Sequence, residues 1–526
     1  MENIPLKISQ PNGIEINCFI SGDEFFNWVH DEEGNIIILD SISGYFCYVS
    51  EEFANMKYKI GIDNMIDSPL EKSPYKNIQS NTNMCIYNNI DSPYKITNSK
   101  NSTFNVINNI VIYITFLDQE EYSTGIQDSI AVMYVDSTNN ANSVKQYFRE
   151  TSYHQLNIDS YFYPNNTTLS YKDIYPRNYY CPYSSSNTIG YQNYTIRKNR
   201  EDSLLIRAIE YIQNQIPTNL DLDSNNDGKV DNVSFIIKGG TTAWNTLLWP
   251  HKSSLSKIKY LKGKKVYSYN LQLSDYIISH GVGVLCHELG HTLGMPDLYH
   301  YNADSTGHIW HPIGVWDIMA SNGYYPQQMS SYMKYKYLNW VDSIPEIYKS
   351  GTYSLSSIAS SKECYKIRIE GSNEFLIIEY RNKSNFGDTY IPNNGLLIYR
   401  VNPYKNGNCY AVEGGGENDE IYLYRMDGNF LSDGIISQAP FCIELNKTKF
   451  NSTTNPREFL SNGDDGNIYI YDVTRCDTTI SFSVKICLSL DILYNTSNSI
   501  PRYTNANSVS TFGEIQLRND TTIFEA

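Results

Sequence analysis

Two histidines four residues apart, with a glycine and a proline soon after them, restrict this chain more than any other stretch: His287-Glu288-Leu289-Gly290-His291, then Gly294 and Pro296. Residues four apart on a helix share a face, so His287 and His291 can present two imidazoles to a single Zn²⁺. The helix expected over 279–294 must stop at Gly294, and Pro296 forbids its continuation. The chain turns back there, which places Asp297 to offer an oxygen ligand and leaves the fourth position to water, as catalytic zinc requires. His300, His308 and His311 lie close enough in sequence to compete for that third ligand place.

Glu288 sits beside such a metal and can take a proton from the attacking water and pass it to a leaving amine. An arrangement with a glutamate ligand on a second helix is disfavoured, because no Glu occurs between 289 and 345. The pattern His287-Glu288-x-x-His291-x-x-Gly294-x-x-Asp297, with Met319 after Gly314-Val315-Trp316-Asp317-Ile318, resembles a metzincin site with a Met-turn beneath the metal. The competing explanation is an amphipathic core helix with two satisfied histidines, and it needs Gly294, Pro296, Asp297 and Met319 all to be coincidences.

At 526 residues the chain exceeds one hydrophobic core, and 41% hydrophobic with 19% charged residues is globular composition. We expect a multidomain protein. Residues 1–65 alternate apolar and polar around turn signals at Pro11-Asn12-Gly13, Glu33-Gly34 and Ser43-Gly44, predicting a small β-rich module. Residues 66–104, rich in Asn, Ser, Pro and Lys, predict a linker. Residues 105–345 alternate strands (from Val106; Val233 to Ile237) with helices (Asn142 to Arg149; Glu201 to Gln215), predicting an α/β (α+β) catalytic domain. Residues 346–526 carry short strands, at 365–369, 375–380, 396–400 and 479–484, predicting a β-sandwich-like domain.

The net charge of -16 excludes a polyanion partner, since nucleic-acid affinity comes from clustered Lys and Arg. No segment reaches the ~20 apolar residues of a membrane helix, and the start Met1 to Lys7 has no signal-peptide pattern. The ten cysteines stand singly, so their pairing is open, as is the oligomeric state. A second candidate metal site is Asp221, Asp223, Asn225, Asp227 and Asp231, whose alternating oxygens around Gly228 suit Ca²⁺. That loop lacks the bidentate Glu of an EF-hand, and the competing explanation is a plain Asp/Asn turn. Tyr324 and Tyr325 are read as packing or rim residues ahead of oxyanion donors, and His251 and His280 as structural.

With these residues in view, the sequence resembles the immune inhibitor A-like metallopeptidases, secreted bacterial zinc proteases. The likeness rests on Gln10 to Gly13, Gly22 to Trp28, Val144 to Tyr153, Trp249-Pro250-His251, His287 to Tyr299, Trp316 to Ser321 and Asn394 to Tyr399. It implies zinc on His287, His291 and Asp297, catalysis by Glu288, a Met-turn at Met319, protein or peptide substrates and extracellular action. It also implies that residues 1–65 act as a propeptide that keeps a zymogen latent. Cys18, Cys47 or Cys85 could then cap the metal, although ordinary buried thiols explain all three better. Tyr153-His154 departs from the family, where Tyr is more often followed by Gly. The alternative function is a surface or carbohydrate-binding β-domain protein with a vestigial zinc domain, against which the intact Glu288 argues.

Overall fold

A computed structural model describes six short strands within residues 4–59, residues 105–486 apart from 167, 241–249, 302–307, 409–418 and 430–431, and three short strands beyond. The stretch 66–104, Cys85, Trp249 and the turns expected at 11–13, 33–34 and 43–44 lie outside the described residues.

The N-terminal strands β1 (Ile4–Ser9), β2 (Glu15–Gly22), β3 (Asn27–His30), β4 (Ile36–Leu39), β5 (Phe46–Val49) and β6 (Lys57–Lys59) follow one another in a single antiparallel meander.

The central sheet is built on β7 (Asn105–Thr115), an apolar run long enough to be buried on both faces. Parallel to it lie β8 (Leu156–Tyr163), the two-residue β9 (Tyr171–Lys172) and β10 (Asn232–Ile237). A hairpin of β11 (His251–Leu261) and β12 (Lys264–Leu273) completes it; β12 runs parallel to β10, and β11 forms an antiparallel edge. Alternation along β7 divides its side chains. Ile110, Ile112 and Ile114 pack with Leu204, Leu205, Ala208 and Ile209, whereas Ile107, Val111 and Tyr113 pack with Ile130, Val144, Phe148 and Leu289.

The helices covering these faces are α1 (Thr124–Val135), α2 (Val144–Thr151), α3 (Tyr194–Ile212), α4 (Ser274–His280), α5 (Val282–Thr292) and α6 (Ser331–Lys336). The Ser143 and Asn193 side chains cap α2 and α3 by accepting from the Gln146 and Ile196 amides at 3.0 and 2.9 Å. That cap starts α3 well before Glu201, where apolar spacing alone had placed it. The single helix expected over 279–294 is two helices, α4 and α5, broken at Gly281 (φ 73°, ψ -158°). This conformation is open to glycine, and a Cβ there would lie 2.5 Å from the Tyr324 carbonyl oxygen.

Past residue 345 come β13 (Gly351–Ser356), β14 (Tyr365–Arg368), β15 (Phe375–Arg381), β16 (Gly395–Val401), β17 (Ile421–Leu423), β18 (Tyr469–Tyr471) and β19 (Thr479–Lys485). They form two antiparallel sheets, β14-β15-β16-β17 and β13-β19-β18. Leu376, Ile378, Leu396 and Ile398 meet Ile480, Phe482 and Val484 between these sheets. On the opposite face of the same strands, Ile377, Leu397, Tyr399, Val401, Ile421 and Leu423 join the core of α2 and α5. The larger sheet is thus apolar on both sides. Three further strands, Leu490–Asp491, Ile515–Leu517 and Ile523–Phe524, form a separate small sheet.

Candidate metal centre

Every residue of α5 is buried, His287, Glu288 and His291 included. Gly290 allows this depth: a Cβ on it would meet Met319 Sδ and Met295 Cε, both at 2.7 Å. The helix stops as expected, with Gly294 at φ 93° and the Met295 amide donating back to the Gly290 carbonyl at 3.1 Å. The reversal brings Asp297 under the histidines. His287 Nε2 lies 3.1 Å and His291 Nε2 3.3 Å from Asp297 Oδ1.

Each imidazole is oriented through its other nitrogen. His287 Nδ1 donates to the Ile318 carbonyl at 2.9 Å and His291 Nδ1 to the Met295 carbonyl at 2.8 Å. A carbonyl can only accept, so both rings carry their proton on Nδ1 and turn the Nε2 lone pairs inward. Three electron-pair donors then face one another without a proton of their own to share. Asp297 Oδ1 has no hydrogen-bond partner, and neither has the buried Glu288 Oε2. Burial lowers the His287 imidazole, yet the adjacent Asp297 carboxylate lifts it to about 9, so this side of the ring attracts a proton or another cation. Burial likewise raises Asp297, and the two imidazoles more than offset this, holding it well below the usual carboxylate range. The cluster calls for positive charge. Two neutral imidazoles and a carboxylate are a zinc donor set, so the residues present fit that cation.

One supporting group is local and the others come from distant parts of the chain. Tyr301 Oη donates to Asp297 Oδ2 at 2.5 Å. The buried Asn408 donates from its amide to the Asp297 carbonyl at 3.0 Å and from Nδ2 to the Leu298 carbonyl at 3.1 Å. Leu298 in turn donates to the Met319 carbonyl at 2.9 Å, tying the Asp297 loop to the turn that carries the buried Met319. Asp317 accepts from the Met319 and Ser330 amides at 2.9 and 2.7 Å. Asn270 Nδ2 holds the Glu288 carbonyl at 2.6 Å. Lys252, buried on β11, is pushed down to about 8 by burial, against the pull of the Glu288 charge. No short motif marked Tyr301, Asn408, Asn270 or Lys252.

The other candidates lie elsewhere. His300 pairs with Asp419 at 2.7 Å, and His308 and His311 with Asp433 at 3.7 and 3.0 Å. Asp221, Asp223, Asn225 and Asp227 share one turn, in which Asp223 accepts from the Asp227 and Gly228 amides and from Lys264 Nζ at 2.6 Å. Asp231 turns to Ser224 and to the Asn108 amide. Lys264 thus brings one positive charge to the carboxylates of this turn. His251 pairs with the buried Glu201 at 3.4 Å, while His280 stacks on Tyr276. Tyr324 and Tyr325 are exposed, and Tyr325 stacks on Tyr390. Cys18 is buried, its thiol raised to about 11 by burial, and the side chain of Cys47 lies outside the described residues. Tyr153 and His154 both take left-handed backbone, at φ 56° and 61°. That conformation favours the glycine more usual at the second position.

Residues 99–335 match the family described as immune inhibitor A peptidase M6, catalytic domain, so the resemblance read from the sequence holds over that stretch. The chain is 26% identical over 180 residues to immune inhibitor A of Bacillus thuringiensis subsp. alesti, covering 27% of this chain and 25% of that protein. It is 32% identical over 98 residues to the pre-pro-metalloprotease PrtV of Vibrio cholerae serotype O1, covering 16% of this chain and 10% of that protein. The matched segments thus span a quarter or less of each relative.

Proposed function

We propose, from the match of residues 99–335 to a peptidase catalytic domain, that this protein is a zinc-dependent endopeptidase cleaving protein substrates. The observation that carries the reading is the convergence of His287 Nε2, His291 Nε2 and Asp297 Oδ1 beside the unpartnered, buried Glu288 Oε2. His287, His291 and Asp297 would hold Zn²⁺, which would supply Lewis acidity toward a water molecule and the scissile carbonyl. Glu288 takes the proton of the attacking water on its carboxylate and returns it to the departing amine, so no acyl-enzyme forms. The edge strand β11, which has no second strand partner among the described residues, accepts the substrate as an extended strand, main chain to main chain. Met319 and Asn408 hold the floor and the Asp297 loop still while this happens. By the same resemblance, the protein acts outside the cell and residues 1–65 keep it latent.

The test compares wild type with Glu288→Ala for bound zinc and for casein hydrolysis. Zinc content should stay at the wild-type level while hydrolysis falls by roughly 10²–10⁴-fold, the usual contribution of a positioned general base. Hydrolysis at the wild-type rate in that variant would falsify the role of Glu288.

A further inference from the structure

Away from the metal helix, two cysteines distant in sequence meet. Cys442, buried in the apolar cluster between the C-terminal sheets, Glu444 and Cys476 bring their sulfur and carboxylate atoms within 4.8 Å of one another. Backbone hydrogen bonds lay the two segments side by side: Ile443 donates to the Thr474 carbonyl at 3.2 Å and Val473 to the Thr448 carbonyl at 3.2 Å. The Cys476 amide also donates to Glu444 Oε2 at 3.3 Å.

Such a trio can hold a soft cation or form a bridge, and its surroundings decide between them. The Glu444 carboxylate already accepts the Cys476 amide and faces Arg475 Nη1 at 3.7 Å. Lys447, whose Nζ donates to the Ala439 carbonyl at 3.2 Å, adds a second positive charge beside Cys442. Arg475 and Glu444 offset one another, which leaves Lys447 as the cation that faces Cys442 and the Glu444 carboxylate already engaged rather than free to complete a metal site. The Cys476 thiol hydrogen-bonds the Cys442 sulfur, drawing Cys442 below the usual thiol range and holding Cys476 above it. The two sulfurs are thus already in contact, with Cys476 the more accessible of the pair.

We propose that Cys442 and Cys476 form a disulfide by exchange with a small-molecule or protein disulfide. The thiolate of the more accessible Cys476 attacks one sulfur of the oxidant and expels its other half as a thiol. Cys442 then loses its proton and attacks the Cys476 sulfur of the mixed disulfide, releasing the second half as a thiol. Two S–H bonds of the chain are exchanged for one S–S bond; its two electrons and two protons end on the oxidant, whose own S–S bond becomes two thiols. The bridge closes the stretch that carries β18 onto the segment leading into β19.

The experiment treats the purified full chain with oxidised glutathione or with dithiothreitol, alkylates remaining thiols and maps the peptides by mass spectrometry. Oxidation should yield one cross-linked peptide pair joining Cys442 to Cys476, about 2 Da lighter than its reduced components together. The oxidised wild type should melt roughly 5–10 °C above the reduced one, a gain missing from Cys442→Ser/Cys476→Ser. Full alkylation of both thiols after oxidation, or bridging of either to another cysteine, overturns the proposal. So does a zinc equivalent held by the reduced wild type and lost from the double variant. The peptide map of the wild type needs no variant to fold.

Discussion

Asp297 works only because other groups hold it, and most of those are invisible to a reading of local spacing. His287, Glu288, His291 and Asp297 fall within eleven consecutive positions, and helical geometry with one forced turn is enough to bring them together. Tyr301 reaches Asp297 within a loop that has no regular period to announce it, and Asn408 reaches it through tertiary packing. Replacing Tyr301 by Phe removes the donor on Asp297 Oδ2 while keeping the ring. Support of this kind is worth about 10–100-fold in metal affinity. A competition titration against a chromophoric zinc chelator should therefore show weaker binding by that factor, with an unchanged circular dichroism spectrum; wild-type affinity would remove Tyr301 from the support. A second residue-scale effect concerns Lys334, fully buried on α6, where it donates to Gln328 Oε1 at 2.7 Å. Burial, with the nearby Arg381, lowers its ammonium from 10.5 to about 7. Between those values the unfolded chain holds a proton that the folded chain has released, so stability grows as pH rises through this window. Relative to Lys334→Met, the wild type should gain up to about 1.4 kcal/mol per pH unit between about pH 7 and 10 in urea unfolding. Parallel curves for the two proteins would contradict the assignment.

At the scale of elements, the apolar runs at β7, β10, β15 and β16 were legible because burial on both faces writes uninterrupted β-branched residues into the chain. The β11–β12 hairpin was not legible. Its strands mix Lys, Ser and Tyr with few aliphatics, and β11 buries only part of its length as an edge. The break between α4 and α5 also escaped, since a lone glycine inside a helical pattern does not say whether it bends the chain. That break sets the direction in which α5 enters the core, with the Val282 amide donating to the Tyr324 carbonyl at 3.2 Å. Gly281→Ala combines a backbone conformation that costs an L-residue about 1–3 kcal/mol with a direct clash against Tyr324. We expect at least about 2 kcal/mol of destabilisation in urea and a loss of hydrolysis to match. Wild-type stability in this variant would mean that the helix boundary is soft.

Across the whole molecule, the metal helix does not own its core. Ile377, Leu397, Tyr399, Val401, Ile421 and Leu423 reach it from strands past residue 345, and the buried Arg381 donates to the Trp316 carbonyl at 2.9 Å, next to the turn holding Met319. Each aliphatic or aromatic side chain withdrawn from water contributes about 1.5–3 kcal/mol. Six such side chains therefore sum to roughly 9–18 kcal/mol, comparable with the entire stability of an ordinary domain, about 5–15 kcal/mol. Local patterning could not show this dependence, because strand alternation reveals that a face is apolar and not what covers it. Cutting the chain after residue 345 would leave α2, α5 and α6 with an apolar surface facing water and Asp297 without Asn408. A fragment of residues 99–345 should accordingly lack a cooperative thermal transition, bind a hydrophobic dye and take up zinc weakly. In the full chain the metal helix and the strands past 345 should melt together: chelating the zinc should lower the melting temperature reported by Trp340, against α2, and by probes on β16 by equal amounts. A 99–345 fragment that melts cooperatively and holds zinc as the full chain does would show that the shared core is only a contact between two self-sufficient units.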